Sequence, residues 1–186
     1  MNKKESFLES LKQQGFSKKI VEAFSEVHRE DFIPEEMKEY SYDDTSLPIG
    51  KGQTISQPYV IGLMLSLLEL DKIKYKKERK ILEIGSGSGY VLTLISEIIG
   101  KNNFVFGIEL IKELFEKSKR NITKVNDYNN IKVYHKNGFY GLPDKAPFDK
   151  IIISASCMKI PEKLINQLKE KGIIVAPVGG RYEQSL

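Results

Sequence analysis

The feature that most constrains the fold is an alternation of short β-rich runs with helical stretches from Lys80 onward. The runs are "KILEI", "FVFGIE", "IKVYH", "FDKIIISA" and "GIIVAPV", dense in Ile, Val and Phe. Between them lie a helical stretch from Tyr90 to Ile99 closed by Gly100, then "LIKELFEKSKRNITKV" with Leu110, Leu114 and Phe115 spaced for one face. A further helix, "PEKLINQLKE", is expected before the fifth run. Strands alternating with helices imply an α/β domain built on a parallel sheet with right-handed crossovers. Ligands in such sheets sit beyond the carboxyl ends of the strands. That directs attention to Gly85–Gly89, Glu109, Asn137 and Ala155.

The part before Lys80 reads as helices. In "SKKIVEAFSEV", Ser17 can cap a helix whose Ile20, Val21, Phe24 and Val27 recur at helical spacing, and Gly15 punctuates the helix before it. Pro34 marks another helix start. The 186 residues suit one domain, 1–186, with N-terminal helices and a site segment in 1–70 and an α/β core in 78–186. The first residues, "MNKKESFLESLKQQ", are charged throughout, and the longest apolar run is too short to span a bilayer. No membrane partner is expected. A single cysteine, Cys157, rules out an internal disulfide and fits a cytoplasmic location. The net charge of +4 is mild, and the basic run Asp71 to Lys80 reads as a solvated loop, not a nucleic-acid footprint.

"EIGSGSGY", Glu83 to Tyr90, follows the first strand and opens a helix. Gly85, Gly87 and Gly89 allow a tight turn and close approach of backbone to a ligand. A dinucleotide fingerprint needs glycine where Tyr90 stands. The G-x-G-x-G spacing after an acid resembles the nucleoside-binding loop of S-adenosylmethionine-dependent methyltransferases. Glu109 ends the second strand and can accept hydrogen bonds from both hydroxyls of a ribose. Glu83 has two compatible roles, in the ligand pocket or as a cap on the loop's N–H groups.

The end of the fourth strand, "SASCM", is small and apolar and lacks the Asp/Asn-Pro-Pro-aromatic pattern of enzymes that methylate adenine or amide nitrogen. Cys157 follows serine, has no evident activating base, and reads as a packing residue. His28 and His135 are the only histidines, packing or surface roles suit both, and no cluster has metal-ligand spacing. A sulfonium cofactor without a general base favours a carboxylate acceptor. A carboxyl of ordinary pKa, about 4, is already deprotonated at neutral pH. The protein then has only to orient the reactants and exclude water.

"GKGQTISQPYV", residues 50–60, is polar and glycine-flanked just before an apolar run. Ser56-Gln57-Pro58 reads as a helix start. Ser56 is either its N-cap or a hydroxyl that orients an anion beside the helix terminus. Val60, Met64 and Leu68 would anchor the helix in the core.

Together, "VHREDFIP", "LPIGKGQTISQPYVIGLM", "ILEIGSGSGY", "GIE", "APFDKIIISAS" and "IPEKLINQLKEKGIIVAPVGG" resemble the protein-L-isoaspartate O-methyltransferase family, in that order, from about Val21 to the end. The resemblance implies a Rossmann-like methyltransferase fold: a mostly parallel twisted sheet, helices on both faces and an N-terminal helical extension. It implies S-adenosyl-L-methionine as cofactor, and damaged proteins and peptides containing L-isoaspartate as partners. It places the catalytic serine at Ser56, substrate contacts at Thr54, Ile55 and Gln57, and cofactor contacts at Glu83, Gly85, Ser86, Gly87, Gly89, Glu109, Asn137 and Gly138. No metal is implied. Asn137-Gly138 departs from the family's usual Asp-Gly, though the asparagine oxygen can still accept from an adenine amino group. The family continues with two more strands where this chain ends at "GGRYEQSL", which would leave the fifth strand with an exposed apolar edge. The same motifs would serve an enzyme esterifying an aspartate in a modified peptide, or a non-catalytic cofactor-binding module. A generic RNA methyltransferase fits less well.

Overall fold

The computed structural model describes residues 2–72, 78–125, 128–180 and 184–186. Half of the basic run read as a loop, residues 73–77, lies outside them. The chain begins with α1 (Lys3–Gln13), started by a capping box. There the Asn2 side chain accepts from the Glu5 N–H at 2.8 Å and the Glu5 carboxylate accepts from the Asn2 N–H at 2.9 Å. Gly15 in the left-handed region turns the chain into α2 (Lys18–Glu26). Ser17 stands at its N-cap, but its hydroxyl makes no cap bond and is buried without a partner. The Pro34 helix is a 3-10 turn, Glu35–Tyr40.

A two-stranded hairpin follows, β1 (Leu47–Gly50) and β2 (Gln53–Ile55), then α3 (Pro58–Leu67). Sequence reasoning missed this hairpin. Gly50, Lys51 and Gly52 all take positive φ and make its turn.

The α/β part runs β3 (Lys80–Ile84), α4 (Tyr90–Ile99), β4 (Phe104–Glu109), α5 (Lys112–Val125), β5 (Ile131–His135), β6 (Phe148–Ile153), α6 (Glu162–Ile165) and β7 (Leu168–Val175). The five strands form one parallel sheet in the order β5-β4-β3-β6-β7. A short hairpin of β8 (Val178–Gly179) and β9 (Gln184–Ser185) closes the described chain.

Two expectations need correction. Leu110 is exposed and precedes α5, whereas Leu114 is buried on its inner face. The helix read across "PEKLINQLKE" is a single turn, and the strand begins at Leu168 instead of Gly172. Leu168 pairs with Phe148 across a bulge, so tertiary pairing overrides the local helical pattern.

Strand residues alternate between two buried clusters. Ile81, Val105 and Ile152 face the cluster that also holds α1 to α5, reaching from Phe7 to Val175. Leu82, Phe106 and Ile151 face a smaller one closed by Leu142, Phe148 and Leu164. The cover is therefore thick on one face and thin on the other. Chain order reverses between β3 and β6, and this switch point opens a crevice at the carboxyl ends of those strands.

Candidate active site

The glycine turn sits at that crevice. Gly85, Gly87 and Gly89 have φ of 79°, 52° and 90°, values that side chains resist. A Cβ on Gly85 would stand 3.0 Å from the Ala155 Cβ and 3.3 Å from the Ala155 backbone N. The turn is held by Glu109, whose carboxylate accepts from the Gly87 N–H and the Ile111 N–H, each at 2.8 Å. Loop capping, which the sequence offered to Glu83, thus belongs to Glu109. Each Glu109 oxygen keeps a further lone pair for a ligand.

Glu83 is fully buried at the end of β3. Its Oε1 accepts from the Ser154 hydroxyl at 2.5 Å, while Oε2 has no partner. Burial pushes this carboxyl up to about 8 and the charge of Glu109 adds to the effect, while the Ser154 bond and the nearby Leu92 backbone N–H offset part of it. Ser86 Oγ is likewise buried without a partner. An acid and a hydroxyl left orphaned beside a glycine turn form a site prepared for a cationic or hydrogen-bonding ligand group.

A cavity of about 40 Å³ encloses this spot, lined by Thr54, Ser56, Glu83, Ser86 and Tyr90 among others. A cleft of about 340 Å³ lies beside it, lined by Gln53, Thr54, Glu109, Asn137, Gly138 and Phe139. Thr54, Gly85, Gly87 and Ser154 line both. The polar segment at 50–60 and the glycine turn, 30 residues apart in sequence, therefore face one another. Ile55, buried, lines the small cavity as well, whereas Gln57 and Gly89 line neither. Gly89 instead packs against Ile122 and Ser118 as the N-cap of α4.

Ser56 is not the N-cap of α3. That position is Gln57, and neither side chain caps the helix. The cap comes from Asp44, which accepts from the Tyr59 N–H at 2.8 Å. Pro58 has no N–H, so the first two helical residues offer an anion nothing. The Ser56 hydroxyl, which makes no hydrogen bond among the described residues, is the available donor. Two contacts fasten the hairpin to α5: Lys117 donates to the Ile49 carbonyl at 3.1 Å, and Lys51 pairs with Glu113 at 2.6 Å. Burial lowers the Lys117 ammonium from its ordinary value.

Asn137 accepts from the Phe139 N–H at 2.9 Å, an Asx turn that fixes the side chain at the cleft edge and leaves its amide N–H groups and one lone pair. His135 stacks on Phe115 at 5.7 Å, and His28 contacts Lys4 at 2.9 Å, both outside the cleft. Burial pushes the Cys157 thiol up, the reverse of activation. Sequence reasoning missed Ser154, taken only as a small residue, and Arg29 and Asp44, whose partners lie far along the chain.

A parallel sheet with a switch point, a ligand turn after its first strand and an acid ending the next defines a Rossmann-like methyltransferase domain. The comparisons carry this further. The family model for protein-L-isoaspartate(D-aspartate) O-methyltransferase matches residues 2–186. A protein-L-isoaspartate O-methyltransferase of Fervidobacterium nodosum is 43% identical over 178 residues, 96% of this chain and 86% of that protein. A solved protein-L-isoaspartate O-methyltransferase superposes with a TM-score of 0.85 at 31% identity, over 94% of this chain and 55% of that one. A Plasmodium falciparum structure, described as a beta-aspartate methyltransferase in complex with S-adenosyl-L-homocysteine, gives 0.83 at 30% identity over 99% of this chain and 88% of its own. The chain belongs to the protein-L-isoaspartate(D-aspartate) O-methyltransferase family. Among the described residues no helix is long and apolar enough to cross a membrane.

Proposed function

We propose that this chain transfers a methyl group from S-adenosylmethionine to the free carboxylate of L-isoaspartyl residues in proteins and peptides, the first step in their repair. The observation that carries this is the small cavity in which Thr54 and Ser56 face Glu83, Gly85 and Ser86, continuous with the cleft through Thr54 and Gly85. Family membership supplies the reaction class.

When bound, S-adenosylmethionine supplies an electrophilic methyl on a sulfonium. The chain's own groups suit it. The orphaned Glu83 Oε2 is available to an amino group, and Ser86 Oγ to a carboxylate. Glu109, already fixed by two N–H groups, presents its remaining lone pairs to ribose hydroxyls. Asn137 and Gly138 would meet the base at the cleft edge. Ser56 donates its hydroxyl to the substrate carboxylate and holds it in line, with Thr54 and Ile55 beside it and Gln57 at the rim. No proton has to be removed, because the acceptor is ionised at neutral pH. The hairpin β1–β2 and Tyr90 exclude water from the enclosed side.

The chain acts as one domain, residues 1–70 bringing the substrate segment and 78–186 the cofactor core. The continuous buried cluster from Phe7 to Val175 supports this. The lone, unpaired Cys157 suits a cytoplasmic setting.

The test uses labelled S-adenosylmethionine with paired peptides differing only in an aspartyl or isoaspartyl linkage. The normal linkage displaces the carboxylate by about one bond, and a misplacement of about 1 Å costs on the order of 10²-fold in rate. Strong preference for the isoaspartyl peptide is expected, with a large rate loss in Ser56→Ala. Equal methylation of both peptides, or of neither, refutes the assignment.

A further inference from the structure

We propose that Arg29 is a positioning residue for methyl transfer: its buried guanidinium grips the Ser56 carbonyl and so sets where the Ser56 hydroxyl points. The proposal rests on the reading of Ser56 as the group that orients the substrate carboxylate.

Arg29 lies in "VHREDFIP" and is 1% exposed. Arginine is almost never so buried without a carboxylate partner. Here no carboxylate pairs with it among the described residues; its acceptors are four backbone carbonyls. Nη1 donates to Ser41 at 3.1 Å and Asp43 at 3.3 Å. Nη2 donates to Thr45 at 2.8 Å and Ser56 at 3.1 Å. Burial holds its pKa below the ordinary value, which is the cost of placing a cation there.

Three of the acceptors belong to one loop, 41–45, and holding a loop would be a structural task. The fourth is different. Ser56 lies beyond the hairpin, and its carbonyl is the link between the gripped loop and the cleft. The same loop carries Asp44, which caps the Tyr59 N–H. Ser56 is thus tied at its own carbonyl and, three residues on, at the start of α3. Its side chain is left free while its backbone is held at the carbonyl and again just downstream. Arg29 lines neither part of the cleft, so it acts through Ser56 and does not touch a ligand. A planar guanidinium with five donors in fixed geometry can bind four carbonyls in this way. A lysine ammonium has three donors on a flexible stem and cannot hold all four.

The test is Arg29→Lys and Arg29→Ala, each alone and combined with Ser56→Ala. Three quantities are read: kcat on an isoaspartyl peptide, the Kd of S-adenosyl-L-homocysteine by calorimetry, and amide hydrogen exchange across 53–60 and 85–89. Arg29→Lys is expected to fold and to lose on the order of 10-fold or more in kcat. Its Kd should stay within about twofold, and exchange should quicken at 53–60 and not at 85–89. In the Ser56→Ala background the same substitution should cost less than about twofold, because both act on one group.

Wild-type kcat in Arg29→Lys overturns the proposal. So does a full additional loss in the Ser56→Ala background, or a Kd that weakens in step with kcat. If both single variants fail to fold, Arg29 is a scaffold residue and the proposal is wrong. If the wild-type protein methylates no isoaspartyl peptide, the proposed function has failed instead. Exchange then decides the Arg29 question by itself: loosening confined to 53–60 supports the grip on Ser56, and unchanged exchange refutes it.

Discussion

Replacing Glu83 by glutamine should remove a pH dependence of stability. The carboxyl is buried, Oε2 has no partner, and its pKa stands at about 8 against an ordinary 4.5. The folded protein therefore binds a proton more tightly than the unfolded chain does. This contribution to stability is fully present below pH 4.5 and is lost as pH rises to about 8. Between those limits the unfolded chain releases its proton while the folded protein retains it. At about 1.4 kcal/mol per pH unit, the whole window amounts to about 5 kcal/mol. Glutamine keeps the shape and the acceptor for Ser154 but has no proton to lose. Urea denaturation of both proteins from pH 5 to pH 8 measures the effect. Other titrating groups cancel in the difference, so wild type should lose several kcal/mol relative to Glu83→Gln across that range. Parallel curves for the two proteins would refute the argument. The same logic extends to binding. If the ammonium of S-adenosyl-L-homocysteine meets Glu83, its affinity should rise with pH up to about 8 in the wild type and stay flat in Glu83→Gln.

Gly85→Ala should weaken S-adenosyl-L-homocysteine binding and cost about 1–2 kcal/mol in denaturant melts, since φ is 79° and the added carbon would meet Ala155 at 3.0 Å. Asp44→Ala should lower stability by about 1 kcal/mol through loss of the α3 cap, with Asp44→Asn recovering most of it in the same melts. Cys157→Ser should retain methyl transfer within about twofold in the labelled-methyl assay, because burial disfavours the thiolate and no covalent step is needed.

Much of the fold was legible in the residues. The first three strands of the sheet follow their β-rich runs to the residue, and α4 starts and stops between Gly89 and Gly100 as read. Turn stereochemistry and hydrophobic period act over a few neighbours, so a linear reading captures them. The failures lie where distant segments compete with that local signal. "PEKLINQLKE" has a helical period, yet Gln167 turns its side chain to the Leu142 N–H and the Tyr140 carbonyl, and Leu168 pairs with Phe148 as a strand. The site divides in the same way. The glycine turn, Glu109 and the polar segment around Ser56 were visible as candidates.

By itself, the sequence determined a parallel α/β domain, a ligand turn at Gly85–Gly89, and a polar segment at 50–60 suited to a carboxylate. Only the tertiary structure decided the assignments among them. The parallel register of β3 and β4 set Glu109 to cap the turn and left Glu83 buried with an open oxygen. Asp44 took the cap that Ser56 was offered, and Arg29 found carbonyls from two separated segments. Residue types state what a group can bond. Which partner it meets depends on chain segments brought together by burial of the core, and that information is not local.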